Sequence, residues 1–284
     1  MKPYVLALVC AAGLAGVALM TPLGTAAVGL LEVFRVQKFA AVTIDPSKFP
    51  LAAAGAAAAG TEHTPDALGA YTGPLKLSKP KSVGTLAAAE AALGTRLASP
   101  GASVGGQALT NVYVGEPVDA AYTFDTAKMQ AAIDAAGLKG VTAPAQLNNK
   151  TFRVHIAPTA LAVYGPESGD AYAFGQTQSP WLEVPDGVNM EYLRQDLLTL
   201  PGLPPELVVQ IQAIKDWKHT LVLPLPPGGQ SKETRVAGAP GLLVSDAAGK
   251  YHAAFWQRQG VLYVIGGQWS ADKALAAAAA VTYP

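Results

Sequence analysis

The side chains of this chain that could do acid–base or metal chemistry are few and scattered. Its four histidines, His63, His155, His219 and His252, match neither H-E-x-x-H nor a comparable ligand spacing, so they define no metal centre of the kind that two histidines one helical turn apart provide. His155 and His252 fall in segments that read as strands, where structural or surface roles are expected. No G-x-S-x-G elbow, phosphate loop or dinucleotide fingerprint occurs. Ser168-Gly169-Asp170 is too common a combination to name a nucleophile. Glu183 with Asp186, or Glu191 with Asp196, has the residue types for glycoside hydrolysis, but solvated helix and loop positions account for all four. The expectation is a chain that is not an enzyme, with no catalytic, cofactor-binding or metal-binding residue and no cofactor.

The tryptophans are the other candidates. A buried tryptophan anchors a core if its indole N–H finds an acceptor, whereas an exposed one offers a ligand platform. Trp181 and Trp217 both border apolar runs and are taken as the candidate interaction surface. The surface would lie where a helical hairpin meets a sheet, in an apolar groove suited to a peptide or a lipid. Trp256 and Trp269 carry the same two readings.

The elements that must position these residues are clearest between Ser179 and Pro226. Met190, Leu193, Leu197 and Leu200 recur at three- and four-residue spacing and predict one face of a helix. Pro201-Gly202 stops it. Pro204 and Pro205 suit the first turn of a second helix, where their missing amides would have had no partner, and Leu207, Val208, Ile211 and Ile214 give that helix its stripe. The flanking runs WLEV and HTLVLPLP read as strands on which the hairpin can pack.

Ahead of this stretch, Tyr4 to Met20 is a run of residues without charge, and uncharged residues continue to Leu31. At about 1.5 Å per residue the first part just spans a hydrocarbon core. Residues 1–34 are read as a membrane anchor or uncleaved signal, in contact with membrane lipid through residues 4–31. A signal peptide cut at Thr25-Ala26-Ala27 is the rival reading, and both export the rest of the chain. Residues 35–81 form a membrane-proximal strand within EVFRVQKFAAVTID and an Ala/Gly/Pro-rich connector that includes LAAAGAAAAG. Residues 82–284 form the extracytoplasmic domain, divisible into subdomains at 82–178 and 179–284. Within it Thr85 caps LAAAEAAL and Gly94 closes it, Asp125 caps TAKMQAAIDAA, Asn148-Asn149 makes a turn, and Ser270 caps a last helix. TFRVHIAPTALAVYG and AYAFGQTQ read as consecutive antiparallel strands. The fold class is α+β, with largely antiparallel sheets and packed short helices preceded by one N-terminal transmembrane helix.

Composition excludes several functions. Twenty basic residues balance twenty acidic ones, so no net field favours nucleic acid. The one cysteine, Cys10, rules out an internal disulfide framework and a multi-cysteine zinc site.

Six segments carry a family resemblance in order and spacing. They are LLEVFRVQKFAAVTIDPSKF, SVGTLAAAEAALGTRLASPGAS, SPWLEVPDGVNMEYLRQDLLTLPGLPPEL, DWKHTLVLPLP with its Asp216-Trp217, VAGAPGLLV and WQRQGVLYVIGGQWSADKALAAAAAV. From about Val28 onward the chain resembles the extracytoplasmic domain of membrane-anchored anti-sigma factors and related domain-of-unknown-function proteins. The resemblance implies a bacterial single-pass cell-membrane protein whose C-terminal domain lies outside the cytoplasm and influences a regulatory output inside. Only Met1 to Pro3 precede the apolar run, so the family's cytoplasmic sigma-binding part has no counterpart there. A separate protein partner in the membrane or envelope is implied instead. The expected function is an extracytoplasmic sensing or protein-interaction module. The alternative is a structural subunit of a bacterial cell-envelope complex, with an exported hydrolase third.

Overall fold

The computed structural model describes residues 33–43, 68–73, 78–166, 171–199, 201 and 203–284, without the side chains of residues 33–35, 197 and 217. In chain order the elements are β1 (Val33–Arg35), β2 (Lys38–Thr43), β3 (Gly69–Thr72), β4 (Lys81–Ser82), α1 (Leu86–Leu93), β5 (Ser103–Val104), β6 (Gln107–Gly115), β7 (Val118–Phe124) and α2 (Thr126–Ala135). There follow β8 (Thr151–Ile156), β9 (Thr159–Tyr164), β10 (Tyr172–Gln178), β11 (Trp181–Glu183), α3 (Met190–Leu198) and α4 (Pro205–Ala213). The chain ends with β12 (Thr220–Leu225), β13 (Gln230–Val236), β14 (Ala239–Ser245), β15 (Tyr251–Arg258), β16 (Val261–Gln268) and α5 (Ala271–Ala279). The described residues are therefore mixed α+β with mostly antiparallel sheets. The apolar run at residues 4–31 and the LAAAGAAAAG stretch lie outside them, and no described helix is long and apolar enough to cross a membrane.

Local signals set the helix ends. Thr85 accepts the Ala88 amide, and Gly94, at φ 65°, closes α1 in the left-handed region that glycine enters without a Cβ penalty. Asp125 accepts the amides of Ala127 and Lys128 at the start of α2. Ser270 does the same for Lys273 at α5.

Two antiparallel sheets organise the strands. A nine-stranded sheet runs β13-β14-β15-β16-β10-β9-β6-β4, with β5 also on β6, and a five-stranded sheet runs β1-β11-β8-β7-β3. The stretch Thr151–Gly165, which reads as one strand, is two strands in different sheets. Pro158 is the physical reason: it has no amide to donate to a ladder, and Thr177 Oγ1 donates to the Ala157 and Pro158 carbonyls where the chain changes sheet. The nine-stranded sheet takes strands from both sides of Ser179, so that position is not a border between sheets.

The main core lies between the nine-stranded sheet and the helices α1 and α5. Phe174, Trp256 and Tyr263 stack there with Ile265, Ala274 and Ala278. Trp256 is fully buried, and its indole N–H donates to the Tyr283 hydroxyl at 2.9 Å, so its one polar atom is not stranded. The opposite face of the same sheet is covered by a separate pair of parallel strands, β2 and β12. Their Phe39, Leu221 and Leu223 pack on Leu242, Phe255, Leu262 and Val264. A third core joins one face of the five-stranded sheet, through Phe124 and Phe152, to Met190 and Leu193 of α3.

Candidate functional site

The five-stranded sheet brings together a row of residues that are far apart in sequence. Asp119 on β7 lies opposite His155 on β8, which lies opposite Trp181 on β11, which lies opposite Arg35 on β1. Side chains alternate along a strand, so Ala120, Val154 and Leu182 point the other way. Ala120 and Val154 join Val118 and Ile156 in the small apolar cluster beneath.

The rings of His155 and Trp181 stack with centroids 3.7 Å apart at 15°. Neighbouring strands are about 4.8 Å apart, so rings stacked between strands stand on edge from the sheet. The stack therefore offers solvent ring edges. It offers no flat aromatic face on the His155 side of Trp181. His155 Nδ1 is hydrogen-bonded to Asp119 Oδ1. Its Nε2 is buried without a hydrogen-bond partner and lies 3.8 Å from Glu183 Oε1. Glu183 Oε2 in turn lies 3.5 Å from Arg153 Nε.

A catalytic dyad would aim the free imidazole nitrogen at a hydroxyl or thiol within hydrogen-bond reach. Here Nε2 faces a carboxylate instead, so the Asp–His–Glu arrangement fixes the orientation of a ring, and among the described residues no hydroxyl or thiol is hydrogen-bonded to Nε2. Among the described residues no three His, Cys, Asp or Glu side chains converge to hold a metal ion.

The second candidate, Trp217, opens a 3-10 turn, Trp217–His219, that packs against β1. Trp181 is on β11, the strand that pairs with β1 in the sheet. The strand just after the apolar run thus contacts the elements that carry both tryptophans. Around the turn a polar cluster fastens the N-terminal segment. Lys38 Nζ pairs with Asp216 Oδ2 at 2.7 Å, His219 Nδ1 bonds Asp216 Oδ1 at 2.9 Å, and the Gln37 amide donates to the His219 carbonyl at 2.8 Å. The Lys38 ammonium, and after it His219, hold the Asp216 carboxyl below the usual carboxylate range.

The remaining candidates have structural partners. His252 Nδ1 pairs with the Trp269 carbonyl at 2.7 Å, while the Trp269 indole donates to the His252 carbonyl at 2.8 Å. Glu191 pairs with Arg194, whose guanidinium also caps the end of α4 at the Ile211 and Ile214 carbonyls. His63 and Ser168-Gly169-Asp170 lie outside the described residues. Sequence reasoning missed Asp119 and Lys38. It also missed the pairing of Asp216 with His219, three residues apart, and the register of β2 on β12 that adds Lys38 has no local signal.

Comparison with protein-family models, with curated proteins and with solved structures found no match to this chain.

Proposed function

We propose that this chain is a membrane-anchored, extracytoplasmic protein-interaction module, related to the anti-sigma regulators it resembles, non-catalytic and acting through a separate protein partner. Residues 4–31 serve as the single anchor, with the C-terminal domain outside the cytoplasm. One observation carries the reading. The segment directly after the apolar run is built into the folded part twice, through β1 on β11 and through β2 on β12. A display domain needs only a loose tether. A segment that forms an edge strand of one sheet and covers a face of another couples the anchor to the core, because only two residues separate β1 from β2 and a change in either sheet shifts both.

The test uses the full-length chain, crosslinked in intact membranes and purified in detergent. Recovery of a sigma factor, or of a small membrane protein that binds one, supports the regulatory reading. Recovery of envelope proteins alone in fixed proportion, unchanged by stress, replaces it with a structural subunit. A Gly/Ser insertion between Glu32 and Val33 then separates coupling from folding: it leaves β1 and β2 intact and is expected to abolish signal output with the partner still bound.

A further inference from the structure

Strand β13 ends the nine-stranded sheet and, among the described residues, pairs on one side only, with β14. It has no proline, its register with β14 runs unbroken from Gln230 to Val236, and its side chains are exposed except for Thr234 and Val236. An open edge of this length presents unpaired N–H and C=O groups to any strand that can match it. The adjoining turn identifies those groups. Ala237 and Gly238 have φ values of 48° and 80°, as a type I′ hairpin requires. Val236 and Ala239 flank that turn and form its closing hydrogen-bonded pair. Counting back in twos, Thr234, Lys232 and Gln230 bond to β14, and the backbone groups of Arg235, Glu233 and Ser231 face outward.

We propose that a second copy of this chain docks on this edge, the two β13 strands running antiparallel about a two-fold axis through Thr234. A two-fold interface must be self-complementary, and the charges on β13 select the register. An axis through Glu233 would oppose two carboxylates, one through Arg235 two guanidinium groups and one through Lys232 two ammonium groups, each unfavourable when directly opposite. With the axis at Thr234, Glu233 of each copy lies opposite Arg235 of the other. These are also the residues whose backbone groups face outward, so both pairs exchange N–H···O bonds as they exchange charge. Glu233 has no ion pair among the described residues. Arg235 spends Nη1 on the Gly238 carbonyl at 3.0 Å and keeps its other donors. On the α5 side of the sheet the apolar stem of Lys232 meets Val236 of the other copy.

This inference goes beyond the interaction module proposed above and needs neither its anchor nor its partner. The test uses the full-length chain with Cys10→Ser, so that each added cysteine stands alone. Thr234 sits opposite itself in the wide pair, where Cα atoms are about 4.5 Å apart and a disulfide can close. Oxidation of Thr234→Cys is expected to give a disulfide-linked dimer in good yield, and Lys232→Cys about tenfold less, since only Thr234 meets its own copy. Glu233→Arg in the Thr234→Cys chain should cut the dimer about tenfold, and adding Arg235→Glu should restore it, because the reversed pair is again complementary. Equal linking at both positions overturns the proposal. So does failure of the double charge reversal to rescue, or linkage of Thr234→Cys to a different polypeptide.

Discussion

Lys38 and Asp216 form an ion pair at 2.7 Å that joins the start of β2 to the turn before β12, across 178 residues of chain. It sits where the segment after the apolar run enters the fold, and both side chains remain partly exposed. Its contribution is therefore less than about 1 kcal/mol. Asp216 has a lowered pKa in the folded state, so its contribution is present above the unfolded carboxylate value of about 4 and is lost as pH falls through the lower folded value. Asp216→Asn should lower the unfolding midpoint slightly at neutral pH and by less at an acidic pH below the ordinary carboxylate range, as the wild-type carboxyl takes up its proton. Urea titrations at the two pH values check this. A deficit of equal size at both would assign the effect to packing.

Phe39 is the apolar counterpart of that pair. Its ring lies 6.0 Å from that of Phe255 and is buried with Leu221 and Leu223. Phe39→Ala should cost about 3–5 kcal/mol, read from urea unfolding. If the midpoint holds and only the β2 amides lose hydrogen-exchange protection, β2 opens as a separate unit, and the coupling between anchor and core is weaker than the fold suggests.

His155 tests whether the Asp119–His155–Trp181 row is structural. His155→Phe keeps a ring on Trp181, removes the partnerless Nε2 and frees an Asp119 that water can solvate, so stability should change by less than about 1 kcal/mol. His155→Ala loses the stack and should cost about 1–2 kcal/mol. The measurement is again the unfolding midpoint. Loss of a crosslinked partner with His155→Phe, at unchanged stability, would move the row from structure to recognition.

These cases mark what could be read from residue order. Thr85, Asp125 and Ser270 were legible because an N-cap side chain bonds amides two or three residues on, and Gly94 because glycine enters the left-handed region that ends a helix; both signals are local in the sequence. The two helices α3 and α4 were legible from the spacing of Met190 and Leu193 and from the proline pair at residues 204 and 205. The break of EVFRVQKFAAVTID into β1 and β2 was not, because nothing local distinguishes a strand from two strands bound to different partners. The row of Asp119, His155 and Trp181 was equally hidden. It depends on the register of β7, β8 and β11, and a shift of one residue would send each side chain to the opposite face. Trp181 could be singled out by type, but its stacking on His155 is a property of the sheet.

The turn that closes the β13–β14 hairpin carries the last prediction. A type I′ turn needs positive φ at both central residues. Gly238 meets this at no steric cost, whereas Ala237 holds φ 48° with a Cβ that crowds the backbone in the left-handed region. Asparagine tolerates that region better, and Asn-Gly is the preferred pair for this turn. Ala237→Asn should therefore stabilise the chain by about 0.5–1 kcal/mol, seen as a higher unfolding midpoint. The same change stiffens the end of the open edge, so it should raise the yield of the Thr234→Cys dimer. A more stable chain with no gain in dimer would mean that the edge is already ordered before it pairs. A less stable chain would mean that the Ala237 methyl makes a packing contact worth more than the relief of strain.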